Sequence, residues 1–153
     1  DAQMWSSKRR RHCSDCPLNY FDTLMTRGGT PTLYYQFAYN ILHHGVQHRV
    51  VPLPLSTNEA ARVLYYNNRH PDLIYIDASH HPLDVTQDLE HFWSLLACGG
   101  TLFGDDWHWE GVRQAVEAFA CRHKLTMDIV RLSSHNTKWI VWSKGCAART
   151  QGT

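Results

Sequence analysis

Three carboxylates stand directly after two short apolar segments. Asp77 follows the run LIYI at 73–76, and Asp105 and Asp106 follow the run TLFG at 101–104. If these runs are neighbouring parallel strands, their ends lie roughly 5 Å apart at one edge of a sheet. Crowded carboxylates repel, so this edge is expected to carry a raised carboxyl pKa or a bound cation such as Mg²⁺. The alternative is that each aspartate only caps the helix that follows it.

Histidines and tryptophans lie close to these aspartates in sequence. His80 and His81 come just after the first acidic position. A neutral imidazole beside a substrate hydroxyl can act as a general base, whereas the alternative for both is a surface loop position. Trp107 and Trp109 flank His108 after the acidic pair, where they either line a ligand pocket or seat the loop on the core.

The elements that position these residues are predicted to alternate between helix and strand. Ser56 and Glu59 have the spacing of a capping box, which opens the second helix. The predicted order is a helix over 34–42, a strand over 49–55, a helix from 56, a strand over 73–76, a helix over 85–96, a strand over 101–104, a helix over 112–119 and an antiparallel hairpin over 125–143. This alternation predicts an open, mostly parallel α/β sheet, in which ligands bind beyond the carboxyl ends of the strands.

Size and composition exclude several classes of protein. The chain has 153 residues and a net charge of +1, with 15 basic and 14 acidic residues, whereas duplex-binding modules are far more basic. No apolar run reaches the roughly 18–20 residues that span a bilayer, and no signal-like segment is visible. The five cysteines are odd in number and mostly isolated, which favours a reducing compartment. We therefore expect a cytoplasmic protein without nucleic-acid or membrane partners.

The first thirty residues differ in composition from the rest. They contain the basic run KRRR at 8–11, His12, and the pair Cys13 and Cys16 at zinc-ligand spacing. A structural zinc site needs four ligands, and no second cysteine pair is present, so a plain loop is favoured over zinc. The basic run is interpreted as a solvated insertion rather than a contact to phosphates or to an acidic partner. The predicted division is a loop or insertion over 1–30, an α/β domain over 31–145 and a tail over 146–153.

The stretch PDLIYIDASHHPLDVTQDLEHFWSLLACGGTLFGDDWHWEGVRQAVEAF resembles the second half of class I S-adenosylmethionine-dependent methyltransferases. It is most similar to the small-molecule O-methyltransferase branch, which includes macrocin-type and catechol-type enzymes. An ordered set carries the resemblance: Asp77 after the family's fourth strand, the turn Gly99-Gly100, and Asp105-Asp106 after the fifth strand. The resemblance covers roughly residues 31–144. It implies a Rossmann-like fold and methyl transfer to a hydroxyl of a sugar, polyketide or phenol.

The resemblance also implies roles for individual residues. His80 stands where catechol-type enzymes place a catalytic lysine, and would deprotonate the acceptor hydroxyl. Ser56 corresponds to a position near the adenine of S-adenosylmethionine, and Asp1 to the acidic residue that binds the ribose. Asp77 belongs to the cofactor site as well as to the metal site. The implied ligands of the divalent cation, expected to be Mg²⁺, are Asp77, Asp105 and Asp106.

One part of the family pattern is missing. These enzymes bind the methionine part of the cofactor with a Gly-x-Gly turn after the first strand, and no such turn precedes residue 31. Gly28-Gly29 follows no apolar run. The chain is therefore expected to be part of a longer methyltransferase, an explanation that its start at Asp1 without Met favours, or a diverged homologue without cofactor binding.

Three classes of function follow. The favoured one is an S-adenosylmethionine-dependent O-methyltransferase with divalent-metal assistance. The alternative is a catalytically inactive methyltransferase-like scaffold that binds a partner through residues 1–30. A homo-oligomer or a larger assembly is an expectation for either class. An RNA-binding module, suggested by the arginine run and the aromatic content, is the third and least favoured class.

Overall fold

A computed structural model of the chain describes residues 25–133 and 136–142. The chain divides into two compact units, Asp1–Pro52 and Leu53–Thr153. The division expected from composition was at residue 30, which lies inside the first unit. The basic run and the Cys13–Cys16 pair lie outside the described residues. None of the described helices is both long and apolar enough to cross a membrane.

The first unit contains a short hairpin and one helix. Strands β1 (Thr26–Arg27) and β2 (Thr30–Pro31) pair antiparallel. Gly28 and Gly29 turn the chain between them with φ of +59° and +81°, values that L side chains rarely adopt. Helix α1 (Thr32–His43) confirms the helix predicted over 34–42.

The strand predicted over residues 49–55 is absent from the structure. A 3₁₀ turn at Gln47–Arg49 occupies its start, and the following residues up to Leu55 form no ladder. Pro52 and Pro54 account for the difference, because neither can donate a backbone hydrogen bond to a neighbouring strand. The apolar composition alone was therefore misleading here.

The second unit is an α/β layer whose predicted helices and strands are otherwise confirmed. Its elements are α2 (Thr57–Tyr66), β3 (Leu73–Ile76), α3 (Pro82–Leu95), β4 (Thr101–Gly104), α4 (Glu110–His123), β5 (Met127–Ser133) and β6 (Asn136–Trp142). The strand order is β3-β4-β6-β5. The pair β3–β4 is parallel, and the predicted C-terminal hairpin supplies the two antiparallel pairs.

Helix α2 begins at the predicted capping box. The Ser56 hydroxyl accepts a hydrogen bond from the Glu59 backbone N–H at 3.3 Å, and the Glu59 carboxylate accepts one from the Ser56 N–H at 3.2 Å. These bonds use backbone donors that would otherwise lack partners at the first helical turn. Hydrogen bonds with Ser56 lower the pKa of the Glu59 carboxyl.

The hydrophobic core lies on one face of the sheet. Side chains from β3, β4 and β6 pack there against helices α3 and α4, and the largest of them, Trp139, is 1% exposed. On the opposite face Leu73 is 63% exposed and Tyr75 is 44% exposed. The continuously apolar sequence of β3 is typical of a strand that is buried on both faces. The structure instead buries alternate residues, Ile74 and Ile76.

Two cysteines fall within the described residues. Cys121 is free and exposed, whereas Cys98 is disulfide-bonded. The expectation that the cysteines stay reduced therefore does not hold for Cys98. The cellular compartment itself stays a prediction.

Candidate active site

The parallel pairing of β3 with β4 brings the acidic residues to one edge of the sheet. Ile76 lies opposite Gly104 in the register, so Asp77 and Asp105 are the first residues beyond each strand. The Asp105 N–H continues the ladder by donating to the Ile76 carbonyl at 3.2 Å. Asp77, Asp105 and Asp106 all line one small cleft at this edge, together with Ser79 and His80. The predicted convergence of the acidic positions is confirmed in this respect.

Trp139 fixes the backbone at which the acidic pair begins. Its indole lies against Gly104, where a Cβ atom would overlap the ring and come within 2.6 Å of the Ile76 carbonyl oxygen. The indole Nε1–H donates to the Asp105 carbonyl at 2.9 Å. A glycine is therefore required at the end of β4. The sequence carries no local signal for this role of Trp139.

Asp106 turns its side chain towards the loop after β3. Its φ is +60°, a left-handed conformation that aspartate tolerates better than most residues. The carboxylate Oδ2 lies 2.7 Å from His80 Nε2, and both side chains are partly buried. The structure therefore joins the predicted base, His80, to one of the predicted metal ligands.

Local hydrogen bonds shape the loop that carries His80. The Ser79 hydroxyl donates to Asp84 Oδ2 at 2.7 Å and accepts from the His81 backbone N–H at 3.1 Å. Pro82 then starts α3 with a φ suited to a first helical residue. His81 is exposed, which agrees with the surface-loop alternative for that residue.

Helix α4 packs closely against the same loop. The Trp109 ring stacks on the His80 ring, with centroids 4.5 Å apart and planes 12° apart. A Cβ atom at Gly111 would overlap the His80 carbonyl oxygen. Trp107 packs against the core instead, which is the second of the two roles left open by the sequence. His80 is thus held by stacking, by close backbone packing and by a carboxylate.

Asp105 has different partners from its neighbour Asp106. The Lys138 ammonium on β6 donates to Asp105 Oδ2 and, at 3.0 Å, to the Tyr75 hydroxyl. The Tyr75 hydroxyl lies 3.1 Å from Asp105 Oδ2 and 3.4 Å from Asp77 Oδ2, and can donate to either. The ammonium also lies 5.3 Å from the centroid of the Tyr75 ring, within cation–π range.

These contacts shift the pKa of each group. Burial raises the pKa of the Asp105 carboxyl, but hydrogen bonds from Lys138, the Asp106 N–H and Tyr75 outweigh it, so that the net pKa is lowered. The Asp105 carboxylate raises the pKa of Lys138. Burial raises the pKa of the Tyr75 phenol. An ionised Asp105 beside a protonated Lys138 is therefore the stable state near neutral pH.

The predicted metal ligands do not fit a metal centre as they are arranged. Within residues 25–133 and 136–142, no group of three or more His, Cys, Asp or Glu side chains is placed to hold a metal ion. Asp105 is occupied by Lys138, and Asp106 by His80. The acidic residues therefore share an edge without sharing a coordination sphere.

The residues predicted to contact the cofactor are separated in the structure. Asp77 lines the cleft, whereas Ser56 does not, and its hydroxyl serves the cap of α2. Asp1 lies outside the described residues. The described residues also contain no strand followed by a Gly-x-Gly turn, and Gly28-Gly29 belongs to the β1–β2 hairpin.

Comparison with known sequences decides the family. The family described as a methyltransferase domain matches residues 8–107. The chain belongs to this methyltransferase family. The match includes residues 8–30, which composition alone had assigned to a loop or insertion. Among the curated proteins, none matches this chain.

Solved O-methyltransferase structures share the fold of this methyltransferase chain. An O-methyltransferase from Bacillus cereus, solved in complex with SAH, matches at 19% identity and a TM-score of 0.56, over 69% of this chain and 56% of its own. The O-methyltransferase TomG from Streptomyces achromogenes, involved in tomaymycin synthesis and solved with SAM, matches at 17% identity and a TM-score of 0.60. That match covers 74% of this chain and 58% of TomG. The chain thus spans a little over half the length of these proteins, and the expected Rossmann-like methyltransferase fold is confirmed.

Proposed function

We propose that the chain carries the acceptor-activating part of an S-adenosylmethionine-dependent O-methyltransferase that acts on a hydroxyl of a small molecule. One observation carries the proposal: His80 Nε2 lies 2.7 Å from Asp106 Oδ2 at the carboxyl edge of the sheet, in a chain of the methyltransferase family. Ligands of open α/β sheets bind at this edge. A histidine oriented by a carboxylate is a common general base.

The hydrogen bond to Asp106 determines which nitrogen of His80 takes the proton. Nε2–H donates to the carboxylate, so Nδ1 is the ring nitrogen that accepts the proton of the acceptor hydroxyl. Asp106 then stabilises the imidazolium that forms. S-adenosylmethionine, when bound, supplies a sulfonium methyl group that the acceptor oxygen attacks as the carbon–sulfur bond breaks.

The surroundings of His80 favour a ring-shaped acceptor. Trp109 is 41% exposed and stacks on the imidazole, which leaves indole surface for contact with a sugar, polyketide or phenol. Asp77, which also lines the cleft, remains our candidate for contact with the cofactor. Roles for Ser56 and Asp1 in cofactor binding stay predictions, as do a cytoplasmic location and a homo-oligomer or larger assembly.

Metal assistance is not part of the proposed mechanism. The three aspartates implied by the resemblance are Asp77, Asp105 and Asp106, and two of them already have cationic or imidazole partners. No step is therefore assigned to a metal ion. An Mg²⁺-dependent reaction would require these partners to be displaced.

The proposal is tested by methyl transfer from labelled S-adenosylmethionine with the full-length product of the gene and a panel of sugar, polyketide and phenol acceptors. We expect His80→Ala to lower kcat by about 10²–10⁴-fold, the usual contribution of a general base. His81→Ala is the matched control, because His81 is the exposed neighbour and should keep the full rate.

The scaffold alternative makes the opposite prediction. A full-length product that transfers no methyl group and binds no S-adenosylhomocysteine would overturn the enzyme proposal. Replacement of residues 8–11 by alanine would then abolish binding to the partner.

A further inference from the structure

We propose that the ammonium of Lys138 is the resident cation of the acidic edge, and that it takes the place on Asp105 which the resemblance gives to a divalent metal ion. The site would then bind no Mg²⁺ through Asp105. This inference rests on the proposed function for its meaning in catalysis, but its test does not depend on methyl transfer.

Both oxygens of the Asp105 carboxylate are already engaged. Oδ1 accepts the Asp106 backbone N–H at 2.8 Å. Oδ2 accepts from the Lys138 ammonium and lies 3.1 Å from the Tyr75 hydroxyl. A metal ion at Asp105 would therefore have to displace an ammonium that has two oxygen partners in the site.

Lys138 is held at this place by the sheet. It precedes Trp139, which lies opposite Gly104, and it pairs with Val130 on the other side of its strand. Its side chain is only 20% exposed and its ammonium lies over the Tyr75 ring. This is not the position of a freely moving surface lysine.

The charge of Asp105 is balanced without a metal ion. The Lys138 ammonium lies between Asp105 and the Tyr75 hydroxyl, which itself reaches Asp77 at 3.4 Å. A divalent ion placed among the same oxygens would be repelled by the ammonium at short range. Lys138 therefore orders the acidic edge as a positioning residue, since it acts through Asp105 and Tyr75.

Mn²⁺ binding to the 153-residue chain, followed by electron paramagnetic resonance, tests the inference directly. We expect the unaltered chain to show no saturable binding below millimolar Mn²⁺. Lys138→Met frees Asp105 and should tighten Mn²⁺ binding at least tenfold, and adding Asp105→Asn should abolish that gain. Lys138→Arg is the matched control, because it keeps a cation and should bind Mn²⁺ no better than the unaltered chain.

Two results would overturn the inference. One is micromolar Mn²⁺ binding by the unaltered chain that Asp105→Asn removes. The other is a folded Lys138→Met variant, verified by circular dichroism, that gains no binding. If Lys138→Met does not fold, the unaltered chain and Asp105→Asn test the inference alone. In that case, the absence of saturable Mn²⁺ binding by the unaltered chain supports it.

A second readout uses the full-length product. Its methyl-transfer rate should stay within twofold when EDTA is added, whereas a metal-dependent rate would contradict the inference. A product that is inactive with and without Mg²⁺ contradicts the proposed function, and the Mn²⁺ measurement then decides the role of Lys138.

Discussion

The neighbouring residues Asp106 and Asp105 anchor two differently built halves of the candidate site. The imidazole half consists of His80, Asp106 and Trp109, and lies on loops that pack against helix α4. The ammonium half consists of Asp105 with Lys138 and Tyr75, and its two cross-strand partners project from the sheet away from the helix-packed core.

The two halves hold their side chains in place in different ways. The imidazole half is fixed by sterics, since a ring stack and a glycine contact leave the loop little freedom. The ammonium half is fixed mainly by charge and hydrogen bonds on a partly exposed surface. We therefore expect packing mutations to disturb the first half, and the removal of a charge to disturb the second.

The largest effect is expected where one residue supports both halves. Trp139→Ala removes a fully buried side chain and the hydrogen bond to the Asp105 carbonyl. It should lower the free energy of unfolding by about 3–5 kcal/mol, measured by urea denaturation. Trp142→Ala, at a position 42% exposed on the same strand, is the control and should cost less than half as much. Equal losses would mean that Trp139 is not the shared support.

Gly111→Ala should disturb the imidazole half alone. The added methyl group would overlap the His80 carbonyl, which should cost about 1–3 kcal/mol of unfolding free energy. NMR should show a shifted His80 imidazole resonance and unchanged signals near Lys138. Glu117→Ala, on an exposed face of the same helix, should leave both unchanged. Signals that move equally in both halves would contradict the separation.

Lys138→Met should disturb the ammonium half in a pH-dependent way. The pKa of Asp105 is lowered in the folded chain, so the stability from its ion pair is present above its ordinary pKa of 3.8 and is lost as pH falls through the folded value. The pKa of Lys138 is raised, so as pH rises the same stability remains at least up to the ordinary lysine pKa of 10.5. Urea denaturation should thus separate the variant from the unaltered chain at pH 7, and the separation should vanish in acid. A difference independent of pH would assign the role of Lys138 to packing.

Tyr75→Phe should have the smallest effect. It removes the hydroxyl between Lys138 and the carboxylates but keeps the ring beneath the ammonium. Because the side chain is 44% exposed, the loss should stay below about 1 kcal/mol. Tyr66→Phe, at a position 77% exposed, should be neutral in the same denaturation assay. A larger loss at Tyr75 would mean that its hydroxyl, rather than Asp105, holds Lys138 in place.

Local sequence signals predicted most of the second unit. The capping box at Ser56 and Glu59 marked the start of α2, and apolar periodicity marked α3 and α4. The acidic residues were found because they directly follow apolar runs. These signals come from residues that lie within one helical turn or one strand of each other. Such residues are close together in the sequence, so their spacing can be read from it directly.

Long-range pairing was the part that the sequence did not contain. Lys138 meets Asp105 only because β6 pairs with β4 in one register, across 33 positions of the chain. A signal existed, since Lys138 is the basic residue directly before the apolar run at 139–142, but the sequence does not show which residue it contacts. The exposed side of β3 was also missed, because its apolar sequence does not reveal which face the helices cover.

Strand β3 also has consequences for how the chain behaves in concentrated solution. Within the described residues it is bonded to β4 alone, and its four residues carry no charge. The other outer strand, β5, carries Asp128 and Arg131, which oppose the addition of a further strand. An uncharged apolar edge strand is a template for strand addition, so in concentrated solution β3 is the edge of the described sheet at which a second chain is expected to pair.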